Sequence, residues 1–177
     1  MDLVILVNSD DQEMGTIEKL EAHHKGLLHR AFSIFLFNSS GEMLLQQRAD
    51  SKYHSPGLWS NACCSHPAPN ETTLAAGNRR LKEELGISTH LIQAFNFEYK
   101  ECFENGLTEH ELDHVLIGYT DENPILNPLE AQHFCWTSMA ELKEKMDKNP
   151  ENYTVWFNII MNQHLDKLNK ELCHESM

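Results

Sequence analysis

ETTLAAGNRRLKEELGI, residues 71–87, is the most clearly helical stretch of the chain. Leu74, Asn78, Leu81 and Leu85 recur at helical spacing, and Gly86 is a residue that readily closes a helix in the left-handed region. Arg79 and Arg80 stand one turn before Glu83 and Glu84, so opposite charges meet along the helix surface. By themselves these are ordinary surface ion pairs. What surrounds the helix changes their meaning.

Just before it comes SNACCSHP (60–67), with two adjacent cysteines and a histidine two places on. Adjacent cysteines are poor disulfide partners, because a disulfide needs separated, facing Cβ atoms. A zinc finger would space them as Cys-x-x-Cys. DSKYHSPGLWSN (50–61) reads as a loop from its Ser, Pro and Gly content. Further upstream, AFSIFLFN (31–38) and EMLLQQR (42–48), joined by SSG, read as a β-hairpin. DLVILVN (2–8) reads as a strand, and TIEKLEAHHKGLLHR (16–30) is a mixed segment of undecided shape. Downstream, QAFNFEYKECF (93–103) and ELDHVLIGYT (111–120) alternate apolar and polar residues about an ENGL turn, the pattern of paired strands. HFCW (133–136) suggests a short strand. Ser138 and Glu141 form a capping-box pattern, and VWFNIIMNQHLDKLNKEL (155–172) reads as one amphipathic helix. Strands and helices intermix without a βαβ repeat, which predicts an α/β (α+β) fold with a mixed sheet covered by helices.

The chain has 177 residues, 41% of them hydrophobic, which suits a single domain over 1–177 with a full core. Its net charge of −13 argues against a nucleic-acid binder, but not against an anionic small substrate met by a local basic cluster. The five cysteines (Cys63, Cys64, Cys102, Cys135 and Cys173) are odd in number and irregularly spaced, so a disulfide framework is not expected. The first residues carry no basic segment and too short an apolar run for a signal peptide or membrane span. A soluble protein of the reducing cytoplasm is expected, with no membrane partner.

Four groups of residues could carry chemistry. His23, His24, His29 and His66 are histidines near one another in sequence or near the Cys-Cys pair. Glu109 and Glu111 would share a strand face, because side chains repeat every two residues. Two carboxylates on one face repel unless they are solvated, share a proton or bind a cation. Together with imidazoles they suit Zn, Mn or Fe better than Ca. The helix supplies Glu83 and Glu84. A scattered basic set, Lys19, Arg48, Lys52, Arg79 and Arg80, could meet phosphate. Each signal alone has an ordinary surface or core explanation.

LLHRAFSIFLFN (27–38), SPGLWSNACCSHP (55–67), RRLKEELGI (79–87) and EHELDHV (109–115) resemble, in order and spacing, the type 1 isopentenyl-diphosphate isomerase family of the Nudix superfamily. The resemblance implies a Nudix-like α/β/α sandwich. The Nudix box is G-x5-E-x7-R-E-U-x-E-E-x-G-U, with U apolar. Glu71, Arg79, Leu81, Glu83, Glu84, Gly86 and Ile87 fit it. Ser65 replaces its Gly, and Arg80 replaces a metal-binding Glu. That exchange removes a metal ligand and adds a phosphate-binding cation, which argues for leaving a diphosphate intact. A hydrolase of nucleoside diphosphate derivatives would keep Glu at position 80, and a structural zinc domain would space its cysteines.

Residue by residue, the resemblance implies that Cys64 and Glu111 are the acid/base pair. Tyr99 and Trp156 would be pocket aromatics, and Lys19, Arg48, Lys52 and Arg80 diphosphate contacts. It makes His23 (or His24), His29, His66, Glu109 and Glu111 ligands of one divalent metal (Mn²⁺, Zn²⁺ or Mg²⁺), and Glu84 the ligand of a Mg²⁺ riding with the substrate diphosphate. Cys63 would be a small filler. The implied partner is a small isoprenyl diphosphate, and the protein is expected to be a monomer.

Overall fold

The computed structural model describes residues 2–175 apart from Tyr53 and Glu104, with side chains described through Leu172; Cys173 therefore falls outside the described side chains. The four described cysteines are free thiols. Among the described residues, nine strands form one mixed sheet and five helices pack around it. No helix is long and apolar enough to cross a membrane.

The strands are β1 (Leu3–Val7), β2 (Glu13–Glu18), β3 (His29–Phe37), β4 (Met43–Arg48), β5 (Trp59–Asn61), β6 (Cys63–Ser65), β7 (Leu91–Cys102), β8 (Thr108–Tyr119) and β9 (Ala131–Thr137). The helices are α1 (Lys19–Lys25), α2 (Thr73–Leu85), α3 (Met139–Lys148), α4 (Val155–Gln163) and α5 (Leu165–Glu175). The central strand is β3. It runs parallel to β8 from His29↔Glu111 to Phe37↔Tyr119 and antiparallel to β6 on its other edge. β7 pairs with β8 throughout, as the alternating patterns predict.

The sheet separates two cores by side-chain alternation. Phe35, Phe37, Val115 and Ile117 face a layer built from α3, α4 and α5. Phe32, Ile34, Leu36 and Leu116 face α2. The same alternation divides the cysteine pair. Cys63 joins the α2 core with no exposed surface, and Cys64 packs on the opposite side.

Thr72 caps α2 by accepting from the Ala75 backbone N–H, and Gly86 ends the helix at φ 69°, as expected of a C-terminal glycine. The buried stripe differs from the leucine spacing in the sequence. Ala76, Gly77, Leu81, Glu84 and Leu85 face inward, whereas Leu74 and Asn78 are exposed. Gly77 sets the close approach, since a Cβ there would lie 2.7 Å from Leu116 Cδ1. Leu81 is fully buried at the centre of this contact. Leu81→Ala is expected to cost about 2–5 kcal/mol, read as a lowered urea midpoint at an unchanged slope.

Other elements depart from the sequence reading for local reasons. The undecided 16–30 segment contains β2 and α1, with the Glu18 carboxylate capping α1 through the Glu21 N–H. The end of the 50–61 loop forms β5, antiparallel to β4. The β3–β4 hairpin is held by a single described pair, Phe37↔Met43; beyond it β3 takes β6 and β8 while β4 takes β5 and β9. The C-terminal helix is two helices. His164 leaves helical geometry at φ −126°, and its ring packs 4.6 Å from Phe97. Ser138 caps α3 through the Glu141 N–H, as its motif predicts.

Candidate active site

The divergence of β3 from β4 opens a cleft lined from both arms. Phe32, Ser33, Cys64, Ser65 and His66 come from β3 and the β6 segment; Gln46 and Arg48 come from β4; Arg80 and Glu84 come from α2. Glu109 and Glu111 of β8, Trp156 of α4, and Lys19 and Lys52 complete it. Strand register explains why distant residues meet. His29 is paired with Glu111, Ser33 with Cys64, and Tyr99 with Glu111, so these side chains stand on one face of the sheet.

On that face the ligand atoms of His23, His29, His66 and Glu111 lie within 4.8 Å of one another. His23 is buried there, and its neighbour His24 is exposed. His23 Nδ1 donates to Lys19 O at 2.7 Å and His29 Nδ1 to Leu27 O at 2.8 Å. A carbonyl only accepts, so both Nδ1 atoms carry hydrogen and Nε2 is the ring nitrogen that could hold a cation. His29 Nε2 is buried without a hydrogen bond and points at Glu111 Oε1 from 3.6 Å. A buried ring nitrogen without a hydrogen bond beside a carboxylate oxygen is an arrangement that a cation between them would satisfy. His66 Nε2 lies 2.9 Å from the same oxygen, and burial pushes His66 down to about 3, keeping it neutral. This donor set fits a divalent metal.

Glu109 is not among those four donors. Tyr99 Oη lies 2.8 Å from Glu109 Oε2 and 2.7 Å from Glu111 Oε2. A phenol has one proton to give, so Tyr99 donates fully to one of these carboxyls at a time. Burial and the adjacent charge of Glu111 push Glu109 up to about 8. Burial also raises Glu111, but His29 and His66 beside it outweigh burial and hold it well below the usual carboxylate range.

Cys64 faces this acidic group from the other edge of β3. Its Sγ donates to Asn61 Oδ1 at 3.1 Å and lies 3.5 Å from Ser33 Oγ, which itself donates to the buried Asp113 at 2.7 Å. Burial and the Asp113 charge push the thiol up to about 12, so it is a neutral S–H at ordinary pH.

The basic residues gather at the α2 side. Arg80 pairs with Glu84 at 2.7 Å and with Glu130 at 3.0 Å, while Lys52 pairs with Glu130. Burial lowers the Lys19 pKa, and Arg48 lies over the Trp156 ring at 5.3 Å. Arg79 points elsewhere, clamping Glu71 through two bonds of 2.8 Å. Sequence reasoning missed Ser33, Gln46, His54, Glu130 and Asp113. For His54 and Glu130 it held no signal beyond residue type. Asp113, at the next same-face position after Glu109 and Glu111, could have been found by extending the strand alternation.

The NUDIX domain model matches residues 27–157. The chain is 50% identical over 160 residues to an isopentenyl-diphosphate Delta-isomerase of Serratia proteamaculans, spanning 90% of this chain and 89% of the relative. It is 50% identical over 155 residues to isopentenyl-diphosphate Delta-isomerase 2 of Aromatoleum aromaticum, spanning 88% and 82%. A Deinococcus radiodurans crystal structure shares the fold at TM-score 0.67 and 22% identity, over 83% of this chain and 90% of that one. A MutT protein of Methanosarcina mazei does so at 0.65 and 21%, over 81% and 96%. The box departures at Ser65 and Arg80, the Cys64–His66 segment and half-identity across nearly the whole chain agree, and the chain belongs to the isopentenyl-diphosphate Delta-isomerases of the NUDIX superfamily.

Proposed function

We propose that the protein, acting as a single domain, interconverts isopentenyl diphosphate and dimethylallyl diphosphate by protonation and deprotonation. The observation that carries this reading is one cleft holding a half-buried thiol, a carboxylate with a linked proton chain, and a separate basic group.

The chemistry needs each part. A proton added to the terminal methylene of the alkene leaves a tertiary cation at the adjoining carbon. Loss of a proton from the carbon on the other side then forms the internal double bond, with no net change in atoms or charge. Two groups must act, one giving and one taking. Cys64 and Glu111 come from strands on opposite edges of β3 and both open into the cleft. Cys64 is held as the thiol and Glu111 as the carboxylate, with Tyr99 passing a hydrogen bond on to Glu109. Trp156 offers an indole face that favours a cation without trapping it. Burial of Glu111, Tyr99 and Trp156 limits the water that would quench the cation to an alcohol.

Lys19, Arg48, Lys52 and Arg80 would hold the diphosphate, with Lys52 and Arg80 giving up their present ion pairs with Glu84 and Glu130. Glu84 would then meet a Mg²⁺ carried by the substrate. His23, His29, His66 and Glu111 would hold a second divalent metal, Mn²⁺, Zn²⁺ or Mg²⁺; Glu109, linked to Glu111 by two hydrogen bonds through Tyr99, is the fifth candidate ligand. When bound, that metal supplies positive charge that acidifies protons on neighbouring groups.

Formation of an acid-labile allylic diphosphate from isopentenyl diphosphate and Mg²⁺ tests the reading; an unchanged substrate pool in metal-replete protein would overturn it. Prolonged chelation is expected to remove about one equivalent of metal and most activity while the circular dichroism spectrum stays native, because the cores on either side of the sheet do not depend on the site. Unfolding on chelation would instead mark a structural site.

A further inference from the structure

Behind Cys64 and Trp156 lies a small, closed hydrogen-bond frame to which composition and motif gave no clue. Ser60, Asn61 and Thr154 are at most 1% exposed, and Trp156 is 3% exposed. Asn61 Nδ2 donates to Ile34 O at 3.0 Å and to Cys63 O at 3.2 Å. Both amide hydrogens face carbonyls, so the orientation of the amide is settled and Oδ1 must point the other way. There it accepts from Cys64 Sγ at 3.1 Å and from Ser60 Oγ at 3.0 Å. Ser60 Oγ in turn accepts from Trp156 Nε1 at 2.9 Å. Its own proton goes to Asn61, so Thr154 Oγ1, 3.0 Å away, is the donor of that remaining contact.

Every bond in this set therefore has a fixed direction: the thiol, indole and hydroxyl bonds lead to Asn61 Oδ1, and the Asn61 amide hydrogens lead on to the two carbonyls. The frame joins a thiol on β6 to an indole on α4 through two neighbouring residues of β5. Thr154 supports the same conclusion independently. It is the N-cap residue of α4, yet its side chain makes no capping bond, and its hydroxyl is committed to Ser60 instead. Its backbone N–H donates to Trp59 O at 2.9 Å, docking the start of α4 on β5. A helix that gives up its cap to complete a buried contact is built around that contact.

We propose that Ser60 and Asn61 are positioning residues that fix the Cys64 thiol and the Trp156 indole relative to one another, so that proton donor and cation-stabilising face meet the same substrate carbons. This rests on the acid/base reading of Cys64. Asn61 Oδ1 offers the thiol an acceptor, which sets the direction of its S–H bond and its rotamer. Ser33 and Ser60 are the competing neighbours of Cys64, but they lie farther off, at 3.5 and 4.0 Å, and their hydroxyls are bound to Asp113 and Asn61.

The test uses Asn61→Ala and Ser60→Ala, with Ser60→Thr as the conservative rescue. The S–H infrared band of Cys64 is isolated as the wild-type minus Cys64→Ala difference. Asn61→Ala should move that band toward the frequency of a thiol without a hydrogen bond, and lower kcat for isopentenyl diphosphate about 10- to 100-fold with KM changed no more than about threefold. Ser60→Ala should move the band less than Asn61→Ala does, shift the Trp156 indole N–H proton resonance upfield and lower kcat about tenfold; Ser60→Thr should restore kcat and the indole resonance. A folded Asn61→Ala protein with wild-type kcat overturns the proposal, whether or not the band moves. If Asn61→Ala does not fold, Ser60→Ala decides: wild-type kcat or an unmoved indole resonance overturns it. A wild-type protein that does not isomerise the substrate removes the functional reading itself, a result distinct from an active wild type with an equally active Asn61→Ala.

Discussion

Cys64→Ala is expected to lower the isomerisation rate at least about 10³-fold while leaving the circular dichroism spectrum native. The thiol is the group in the cleft that is both neutral at ordinary pH and placed across β3 from the carboxylate pair. Its removal deletes one of the two proton-transfer groups and leaves the other without a counterpart. The adjacent cysteine provides the internal control. Cys63 is fully buried in the α2 core, facing away from Cys64, so Cys63→Ala should cost about 1 kcal/mol of stability and keep activity within about threefold. Equal losses in both variants would place the effect in packing, and near-normal turnover in Cys64→Ala would remove its proposed role.

Glu111→Gln should be as severe for a different reason. Its carboxylate accepts from His66 and Tyr99 and faces the Nε2 of His29. An amide keeps the shape but cannot take a proton in the needed range, and it weakens the anionic member of the metal-donor set. Activity is expected to fall about 10³-fold or more, and metal content measured by mass spectrometry should fall with it. Full metal occupancy together with full activity would place the proton acceptor elsewhere.

Much of this was legible in the sequence because alternation is a strong rule. Cys63 and Cys64 had to face opposite sides of any strand, and Glu109 and Glu111 the same side. The partner strands were not legible. AFSIFLFN and EMLLQQR look like an ordinary hairpin, since apolar runs specify a strand and not its neighbour. That they separate after Phe37↔Met43 is set by β6, β8, β5 and β9, which come from elsewhere in the chain. The stripe on α2 was misplaced because Leu74 lies outside the contact and Gly77, which gives no hydropathy signal, lies at its centre. The break at His164 follows from its packing against Phe95 and Phe97, contacts invisible to a helical period. Ser33, Ser60, Asn61 and Asp113 are residue types that mostly sit on surfaces; only the register of β3, β6 and β8 and the docking of α4 turn them inward.

The most direct test of the account is a proton and phosphorus magnetic resonance experiment on isopentenyl diphosphate, Mg²⁺ and metal-replete protein in D₂O. The account predicts dimethylallyl methyl signals with deuterium entering the product, and phosphorus resonances that remain those of an intact diphosphate. Phosphate release without a new alkene signal would contradict it, as would the absence of any change.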